Sequence, residues 1–315
     1  MLARLQQLIT ISLLVLALTW ALYFLQVGQP VRAIGGALLI ALGYVLVLGI
    51  EFIVLALVQE DEPTPHPTIL QLLRAWWGEA TTAPRVFCWR QPFRAQAEPD
   101  HLPDARGRRG IVFVHGFFCN RAFWNPWMAT LRSQNVAFVA LNLEPVFGSI
   151  SDYASAIDVA VTRIEAATGQ APLIVAHSMG GLAVREWLHR VPNAHARVHH
   201  VVTIGTPHHG TWIARWGRTT NGTEMRLRSP LVMRLAEAGT AQRHALFTCF
   251  YSNCDNIVFP ASTATLAGAD NRHLPGVAHV HMAYHPSVFS ETWRLLQGPA
   301  SDAPTVPAFR FKGGG

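Results

Sequence analysis

The strongest chemical signal in the sequence is the segment AHSMGG at residues 176–181. Ser178 follows a short apolar run, residues 172–176 (PLIVA), and precedes a stretch with helical spacing. A serine hydroxyl is a weak nucleophile, so it must be exposed on a sharp strand-to-helix turn within reach of a base. That turn requires small residues two positions before and after the serine, and Ala176 and Gly180 satisfy it. The segment predicts that Ser178 is a nucleophile.

A nucleophilic serine needs an acid and a histidine, and in the order Ser–acid–His both follow the serine. Asp255 lies in the loop after the apolar run at residues 245–251. We favour it over Asp270, the second choice, and over Asp302, which lies far into the tail. Asp is also common in loops as a helix cap or turn former, so position and order carry this assignment.

Histidines after the acid are the candidates for the base: His273, His279, His281 and His285. His279 is preferred because it closes the short run Gly-Val-Ala, where the loop leaves the sheet. His281 remains the alternative.

Elements that alternate between strand and helix must position these side chains. Short apolar runs predict buried strands at residues 111–114, 136–141, 172–176, 201–204 and 245–251. Apolar residues recur with helical spacing over residues 152–167, and residues 181–189 predict another helix. This alternation predicts an α/β fold with a mostly parallel sheet and helices on both faces.

The chain resembles bacterial α/β-hydrolase lipases and esterases of the triacylglycerol-lipase type. The resemblance covers about residues 110–295 and rests on VHGFFCNRAFW (114–124), VAHSMGGL (175–182), TIGTPHHGT (203–211), SNCDNIVFP (252–260) and LPGVAHVHM (274–282). Where the family usually has Gly, this chain has Ala176 and Ala278. The resemblance implies the α/β-hydrolase fold, with a cap segment at about residues 211–239.

The resemblance also assigns roles to residues. It implies that Ser178 is the nucleophile, Asp255 the acid and His279 the base, with the backbone N–H groups of Phe117 and Met179 forming an oxyanion hole. The expected active-site loop residues are His115, Gly116, His177 and His208, and we expect His115 to be structural. No cofactor is expected. No metal is expected either, because no carboxylate–histidine ligand set accompanies the pair His208–His209.

Two apolar runs precede this region, at residues 8–25 and 33–58. Each is close to the ~20 residues that cross a hydrocarbon core, which favours a transmembrane hairpin over a cleavable signal peptide. We expect Glu51 near the interface and residues 52–58 along the headgroups. An even number of spans puts the N-terminus and the large domain on one side, and we favour the cytoplasmic face of a bacterial inner membrane.

The sequence thus divides into a hairpin at 1–59, a linker at 60–69, a catalytic domain at 70–298 and a flexible tail at 299–315. The 25 Lys and Arg residues exceed the 19 Asp and Glu residues, but the arginines are scattered, which argues against nucleic-acid binding. Four cysteines in 315 residues do not form a disulfide scaffold.

We predict a serine hydrolase that cleaves carboxylic esters, with an acyl ester or lipid and the membrane as its partners. Two alternatives remain open: an acyltransferase with the same triad, and a non-catalytic membrane scaffold on a hydrolase fold. The sequence does not indicate the oligomeric state.

Overall fold

The computed structural model describes residues 1–58, 62–104, 106–298, 306–307 and 309. Its centre is a six-stranded parallel sheet in the order β2-β1-β3-β4-β5-β6. The strands are β1 (Ile111–Val114), β2 (Phe138–Ala140), β3 (Leu173–His177), β4 (His200–Ile204), β5 (Phe247–Tyr251) and β6 (Asp270–His273). The predicted α/β architecture with a parallel sheet is confirmed.

The helices lie before, between and after these strands. They are α1 (Leu2–Gln26), α2 (Pro30–Val58), α3 (Ile69–Pro84), α4 (Gln91–Phe93), α5 (Asn125–Ser133), α6 (Ala154–Thr168), α7 (Met179–Arg190), α8 (Thr220–Glu224), α9 (Pro230–Ala238), α10 (Ala241–His244), α11 (His279–Met282) and α12 (Pro286–Gln297). A π-helix, Arg85–Arg90, joins α3 to α4. Short 3₁₀ turns are at Arg121–Trp124, Ile150–Tyr153, Ala194–Arg197, Trp212–Trp216 and Ala261–Ala264.

Both faces of the sheet are covered, so its central strands are mostly apolar. Alternate side chains of β1 point to opposite faces. Val112 and Val114 join a core built with α6 and α7. Ile111 and Phe113 join a second core built with α5 and α12. Burial on two sides explains why β1 to β5 are mostly apolar and do not alternate regularly between apolar and polar residues.

The strand β6 has no counterpart among the predicted strands. Its sequence, DNRH, is polar, and its residues are exposed or half-buried at the edge of the sheet. An edge strand is stabilised by backbone pairing to one neighbour, and here that pairing runs from Thr248 to Tyr251 of β5. The bounds of the other five strands differ from the predicted runs by at most two residues.

The helices α1 and α2 form an N-terminal hairpin. They have 25 and 29 residues, and the most apolar 18-residue stretches within them have mean hydropathies of 2.3 and 2.7, so both are long and apolar enough to cross a membrane. The base of the hairpin packs against the rest of the chain, where Phe52 and Leu55 are buried. The expectation that residues 52–58 lie along lipid headgroups is therefore wrong for these two side chains, because protein atoms cover them instead.

The remaining predicted segments are less regular. The region predicted as a cap, residues 211–239, contains the 3₁₀ turn Trp212–Trp216 and the helices α8 and α9. Positions 60 and 61 of the predicted linker, and all of the predicted tail except residues 306, 307 and 309, lie outside the described residues.

Candidate active site

Ser178 sits on the turn between β3 and α7. Its backbone has φ 54° and ψ −129°, a conformation that non-glycine residues rarely adopt. Two hydrogen bonds hold this strained residue in place. Its N–H donates to the carbonyl of Ile204 over 2.9 Å, and its own carbonyl accepts from Thr206 Oγ1 over 2.9 Å. The turn consists of Ser178 alone, since β3 ends at His177. The helix α7 therefore begins at Met179, two residues earlier than predicted.

The turn at residues 115–117 lies directly against Ser178. A Cβ added to Gly116 would be 2.9 Å from the Cβ of Ser178. A Cβ added to Gly180 would be 2.6 Å from the carbonyl oxygen of His115. These two glycines allow the turn after β1 and the turn after β3 to approach one another at van der Waals distance.

Phe117 and Met179, the predicted oxyanion-hole residues, lie on these two adjacent turns. Met179 is the first residue of α7, so its N–H has no acceptor within the helix. Phe117 follows Gly116 on the neighbouring turn. Their role as oxyanion donors remains a prediction, which the proximity of the two turns supports.

Asp255 and His279 form a buried pair. Asp255 Oδ2 lies 2.9 Å from His279 Nδ1, and the two residues are 1% and 4% exposed. The other carboxylate oxygen, Oδ1, accepts the N–H groups of Ile257 and Val258 over 2.9 and 2.8 Å. Because Nδ1–H donates to the carboxylate, Nε2 is the ring nitrogen of His279 that remains to take a proton.

Gly205 lies beside this pair and next in sequence to the residue that binds Ser178. It follows Ile204, which binds the N–H of Ser178, and has φ 54°. A Cβ added to Gly205 would be 2.8 Å from Asp255 Oδ2 and 3.0 Å from His279 Nδ1. The structure therefore brings Ser178, Asp255 and His279 to the same end of the sheet, where β3, β4 and β5 have their carboxyl ends.

The electrostatic surroundings of His279 favour its protonated form. Burial alone would lower the pKa of the imidazole, but the Asp255 carboxylate and then Glu79 outweigh burial and raise that pKa above its ordinary value of 6.5. An imidazole with a raised pKa beside a carboxylate is suited to accept a proton and to hold it as imidazolium.

His115 is fully satisfied by backbone groups. Its Nδ1–H donates to the carbonyl of Gly116 over 2.9 Å, and its Nε2 accepts the N–H of Leu143 over 3.1 Å. Burial lowers the pKa of His115 to about 4. A neutral histidine with both ring nitrogens occupied holds the turn at residues 115–117 in shape and is not free to act as a base.

His177 and His208 are both buried, and of the two only His177 contacts His279 in the described part of the chain. His177 Nε2–H donates to the carbonyl of His279 over 3.2 Å, and His208 Nε2 lies 3.1 Å from Thr203 Oγ1. Burial lowers the pKa of both histidines well below the usual value. Among the described residues, no group of three or more His, Cys, Asp or Glu side chains is arranged to hold a metal ion.

The alternative acid and base lie elsewhere. Asp270 is on β6 and pairs with Arg272 over 2.7 Å at the surface. The His281 ring lies against α3, where a Cβ on Gly78 would be 2.5 Å from its Nδ1. The structure therefore brings Asp255 together with His279 and not with His281.

Three polar residues near His279 have no counterpart among the predicted site residues: Glu51, Glu79 and Asn256. Glu79 accepts the N–H groups of Val280 and His281, and Asn256 accepts the N–H of His279. Only Glu51 left a signal in the sequence, as a charge within an apolar run. Glu79 lies in an ordinary amphipathic helix, so its role could not be inferred without the fold.

Comparisons with known proteins agree with this architecture. The profile of the alpha/beta hydrolase family matches residues 111–310. Aspergillus fumigatus lipase B superimposes with a TM-score of 0.52 and 20% identity, over 62% of this chain and 54% of that one. Mature Bacillus licheniformis lipase BlEst2 superimposes with a TM-score of 0.50 and 18% identity, over 58% of this chain and 89% of that one.

The match therefore spans only about half of the A. fumigatus lipase. At these identities the two lipases show a shared fold. No curated protein matches this chain.

Proposed function

Because this chain belongs to the alpha/beta hydrolase family, we propose that it is a membrane-bound serine hydrolase that cleaves carboxylic esters of acyl lipids. The observation that carries the proposal is that two features lie at the same end of the sheet, where the strands have their carboxyl ends. Ser178 has a strained backbone with φ 54° on a strand-to-helix turn. The buried pair Asp255–His279 is joined over 2.9 Å and borders the same residue, Gly205.

The proposed reaction begins with proton transfer from Ser178 Oγ to His279 Nε2 as the hydroxyl attacks the ester carbonyl. Asp255 keeps the proton of the imidazole on Nδ1 and stabilises the imidazolium that forms. The imidazolium then protonates the departing alcohol, leaving an acyl-enzyme on Ser178. His279 next takes a proton from water as the water attacks the acyl group, and then returns that proton to Ser178 Oγ as the bond to the serine breaks and the acid leaves.

The charge that develops on the carbonyl oxygen requires hydrogen-bond donors already in place. The N–H groups of Phe117 and Met179 meet this requirement, since one is on the turn beside Ser178 and the other opens α7. Each such donor typically contributes about 2.7–4 kcal/mol to transition-state stabilisation. Side-chain identity matters little for backbone donors, so Phe and Met are both acceptable.

The helices α1 and α2 suggest the location of the substrate. Both are apolar enough to cross a membrane, and only 6% and 11% of their most apolar windows are buried within the protein. A lipid bilayer would cover the remaining apolar surface, which would lower the free energy strongly because that surface leaves water. A hydrolase held at a bilayer would find acyl lipids at high local concentration, which is why we propose them as substrates.

Hydrolysis of p-nitrophenyl esters of increasing acyl length tests this function. We expect the detergent-solubilised protein to hydrolyse these esters and Ser178→Ala to be at least 10³-fold slower. Equal turnover by both proteins would contradict the proposal. With an added alcohol, free acid as the sole product favours a hydrolase, whereas a transesterified product favours an acyltransferase.

A further inference from the structure

The helix that carries His279 lacks a cap of its own. His279 is the first residue of α11, and the N-cap residue is Ala278, whose side chain accepts no hydrogen bond. The first N–H groups of any helix have no acceptor within the helix, and leaving them unpaired in a buried place is costly. The N-terminus of α11 therefore needs acceptors from elsewhere.

Residues distant in sequence supply those acceptors. The N–H groups of Val280 and His281 donate to Glu79 Oε1 and Oε2, both over 3.0 Å. The N–H of His279 donates to Asn256 Oδ1 over 3.3 Å. Glu79 lies in α3 and is only 2% exposed, so its carboxylate is committed to these donors.

Asn256 is itself held by the second helix of the N-terminal hairpin. Its Nδ2 donates to Glu51 Oε2 over 2.7 Å. A carboxylate can only accept, so Glu51 fixes which end of the Asn256 amide faces it. The amide oxygen is thereby turned towards the N–H of His279.

Apolar packing joins the same elements. Phe52 and Leu55 of α2 and Ala75 of α3 share one buried cluster with the residues that flank the acid and the base. Those residues are Cys254, Phe259 and Ala278. The helices α2 and α3 both precede residue 111, where the match to the hydrolase family begins.

From this arrangement we propose that Glu79 and Glu51 are positioning residues for the base. Glu79 holds α11 directly and Glu51 acts through Asn256, so together they orient the imidazole of His279. The helices α2 and α3 are then part of the active site, and the hairpin does more than attach the domain to a membrane. This inference rests on the proposed serine-hydrolase function.

The groups that face His279 determine how its titration responds to each substitution. They are Asp255 from the loop after β5, Glu51 from α2, Glu79 from α3 and the His177 ring from β3. Burial raises the pKa of Glu79 to about 7, so Glu79 changes charge near neutral pH. Once ionised, Glu79 favours the imidazolium form of His279.

Two pairs of substitutions test the proposal in the full-length protein. Glu79→Ala and Glu51→Leu remove the acceptors, whereas Glu79→Gln and Glu51→Gln keep an amide oxygen in each place. With a short p-nitrophenyl ester, we expect the first pair to lower kcat about 10- to 100-fold with KM nearly unchanged, because a small misplacement of a catalytic group is enough. Glu51→Gln should recover much of this loss, and Glu79→Gln part of it, because its amide oxygen can accept only one of the two N–H groups that Glu79 binds.

Glu62→Gln is the matched control. Glu62 also reaches from the N-terminal segment into the domain, where its Oε2 accepts the N–H of Ser262 over 2.8 Å. Ser262 belongs to the 3₁₀ turn Ala261–Ala264 and not to α11. We expect kcat for this variant to stay within about twofold of the wild type.

The pH profile separates positioning from general destabilisation. Glu79→Gln removes a carboxylate from beside the imidazolium, so the acid limb of kcat/KM should move to lower pH, whereas Glu62→Gln should leave it in place. If Glu79→Ala does not fold, the Glu51 pair and this shift decide the question.

Failure of this inference differs from failure of the proposed function. Wild-type kcat in both Glu79→Ala and Glu51→Leu, with an unmoved acid limb, would overturn the positioning role and leave the hydrolase intact. A wild-type protein that hydrolyses no ester would remove the function and this inference with it.

Discussion

Asp255 restricts His279 to one tautomer and one orientation. One carboxylate oxygen is fixed by the N–H groups of Ile257 and Val258, and the other accepts Nδ1–H of the imidazole. This arrangement leaves Nε2 as the ring nitrogen that can take a proton. A carboxylate held by three donors is already organised before any substrate arrives, so little reorganisation accompanies proton transfer.

Asp255→Asn tests this role of the carboxylate. An amide side chain either presents N–H to Nδ1 or accepts from it without stabilising the imidazolium, so we expect kcat to fall about 10³- to 10⁴-fold. Steady-state hydrolysis of a p-nitrophenyl ester measures the loss. Because Asp255 is the main group raising the pKa of His279, the acid limb of the remaining activity should also move to lower pH.

The sign of the pH effect follows from the role of the base. In the proposed reaction His279 must be neutral to take the proton of Ser178, so we expect kcat/KM to decline as pH falls through its raised pKa. An unmoved acid limb in Asp255→Asn would mean that another group titrates there. A parallel pair of variants identifies the base itself: His279→Ala should cost at least 10³-fold in kcat, and His281→Ala less than about tenfold.

At the scale of elements, Gly205 determines how closely the end of β4 approaches Asp255 and His279. It directly follows β4, has φ 54°, and leaves no space for a Cβ beside Asp255 Oδ2 and His279 Nδ1. The strands β3, β4 and β5 are neighbours in the parallel sheet, so the turns that follow them lie at the same end of the sheet. A glycine at this position lets the end of β4 pack closely against Asp255 and His279.

Gly205→Ala should therefore separate the acid from the base. We expect a loss in kcat of about 100-fold, because the new methyl group must displace one of the two side chains. Gly169→Ala is the matched control: Gly169 has φ 68° but open space around the position of a Cβ. Each substitution should cost about 1 kcal/mol of stability from the positive φ, seen as a lower thermal midpoint, but only Gly205→Ala should lose activity. Equal kcat in the two variants would contradict the crowding argument.

How far the sequence could predict these elements depends on what stabilises each one. The strands β1 to β5 are buried on both faces and show as apolar runs, and the turn at Ser178 shows as small residues around a serine. The strand β6 is held at the edge of the sheet by backbone pairing, so its side chains need not be apolar. Its polar sequence therefore does not show as a strand. The cap on α11 was not predictable, because Glu79 lies 200 residues before His279 and only the fold brings them together.

At the scale of the whole molecule, the base of the hairpin, meaning the start of α1 and the second half of α2, packs against the domain. Tyr44 Oη donates to the carbonyl of Ala80, and Gln7 Nε2 donates to the carbonyl of Pro92. Beyond this base, residues 11–26 of α1 extend about 24 Å at ~1.5 Å per residue. A hydrocarbon core is about 30 Å thick. For α1 to cross it, the base of the hairpin must enter the bilayer as well.

Aromatic side chains surround this base. Trp77, Trp89 and Phe93 are 65%, 58% and 41% exposed, on α3, the π-helix and α4. Tryptophan is enriched at the headgroup level of membranes, where its ring is covered and its N–H stays wet. We expect these residues to lie at the membrane surface, which would bring the active site close to it.

Cys88 gives a direct measure of that depth. It is exposed beside Trp89, and Cys119, Cys249 and Cys254 are buried, so a maleimide fluorophore should attach selectively. In lipid vesicles we expect a blue-shifted emission and protection from aqueous iodide. The same dye on Ala166→Cys in a Cys88→Ser background, at an exposed position of α6, should remain quenched. Equal quenching at both sites would place the base of the hairpin outside the bilayer.

Labelling by a fluorophosphonate tests the central claim most directly, because the probe reacts only with a serine activated by a neighbouring base. We predict a single covalent adduct on the wild-type protein, mapped by mass spectrometry to Ser178, and none on Ser178→Ala. An unlabelled wild-type protein, or an adduct that persists in Ser178→Ala, would contradict the assignment of Ser178 as the nucleophile.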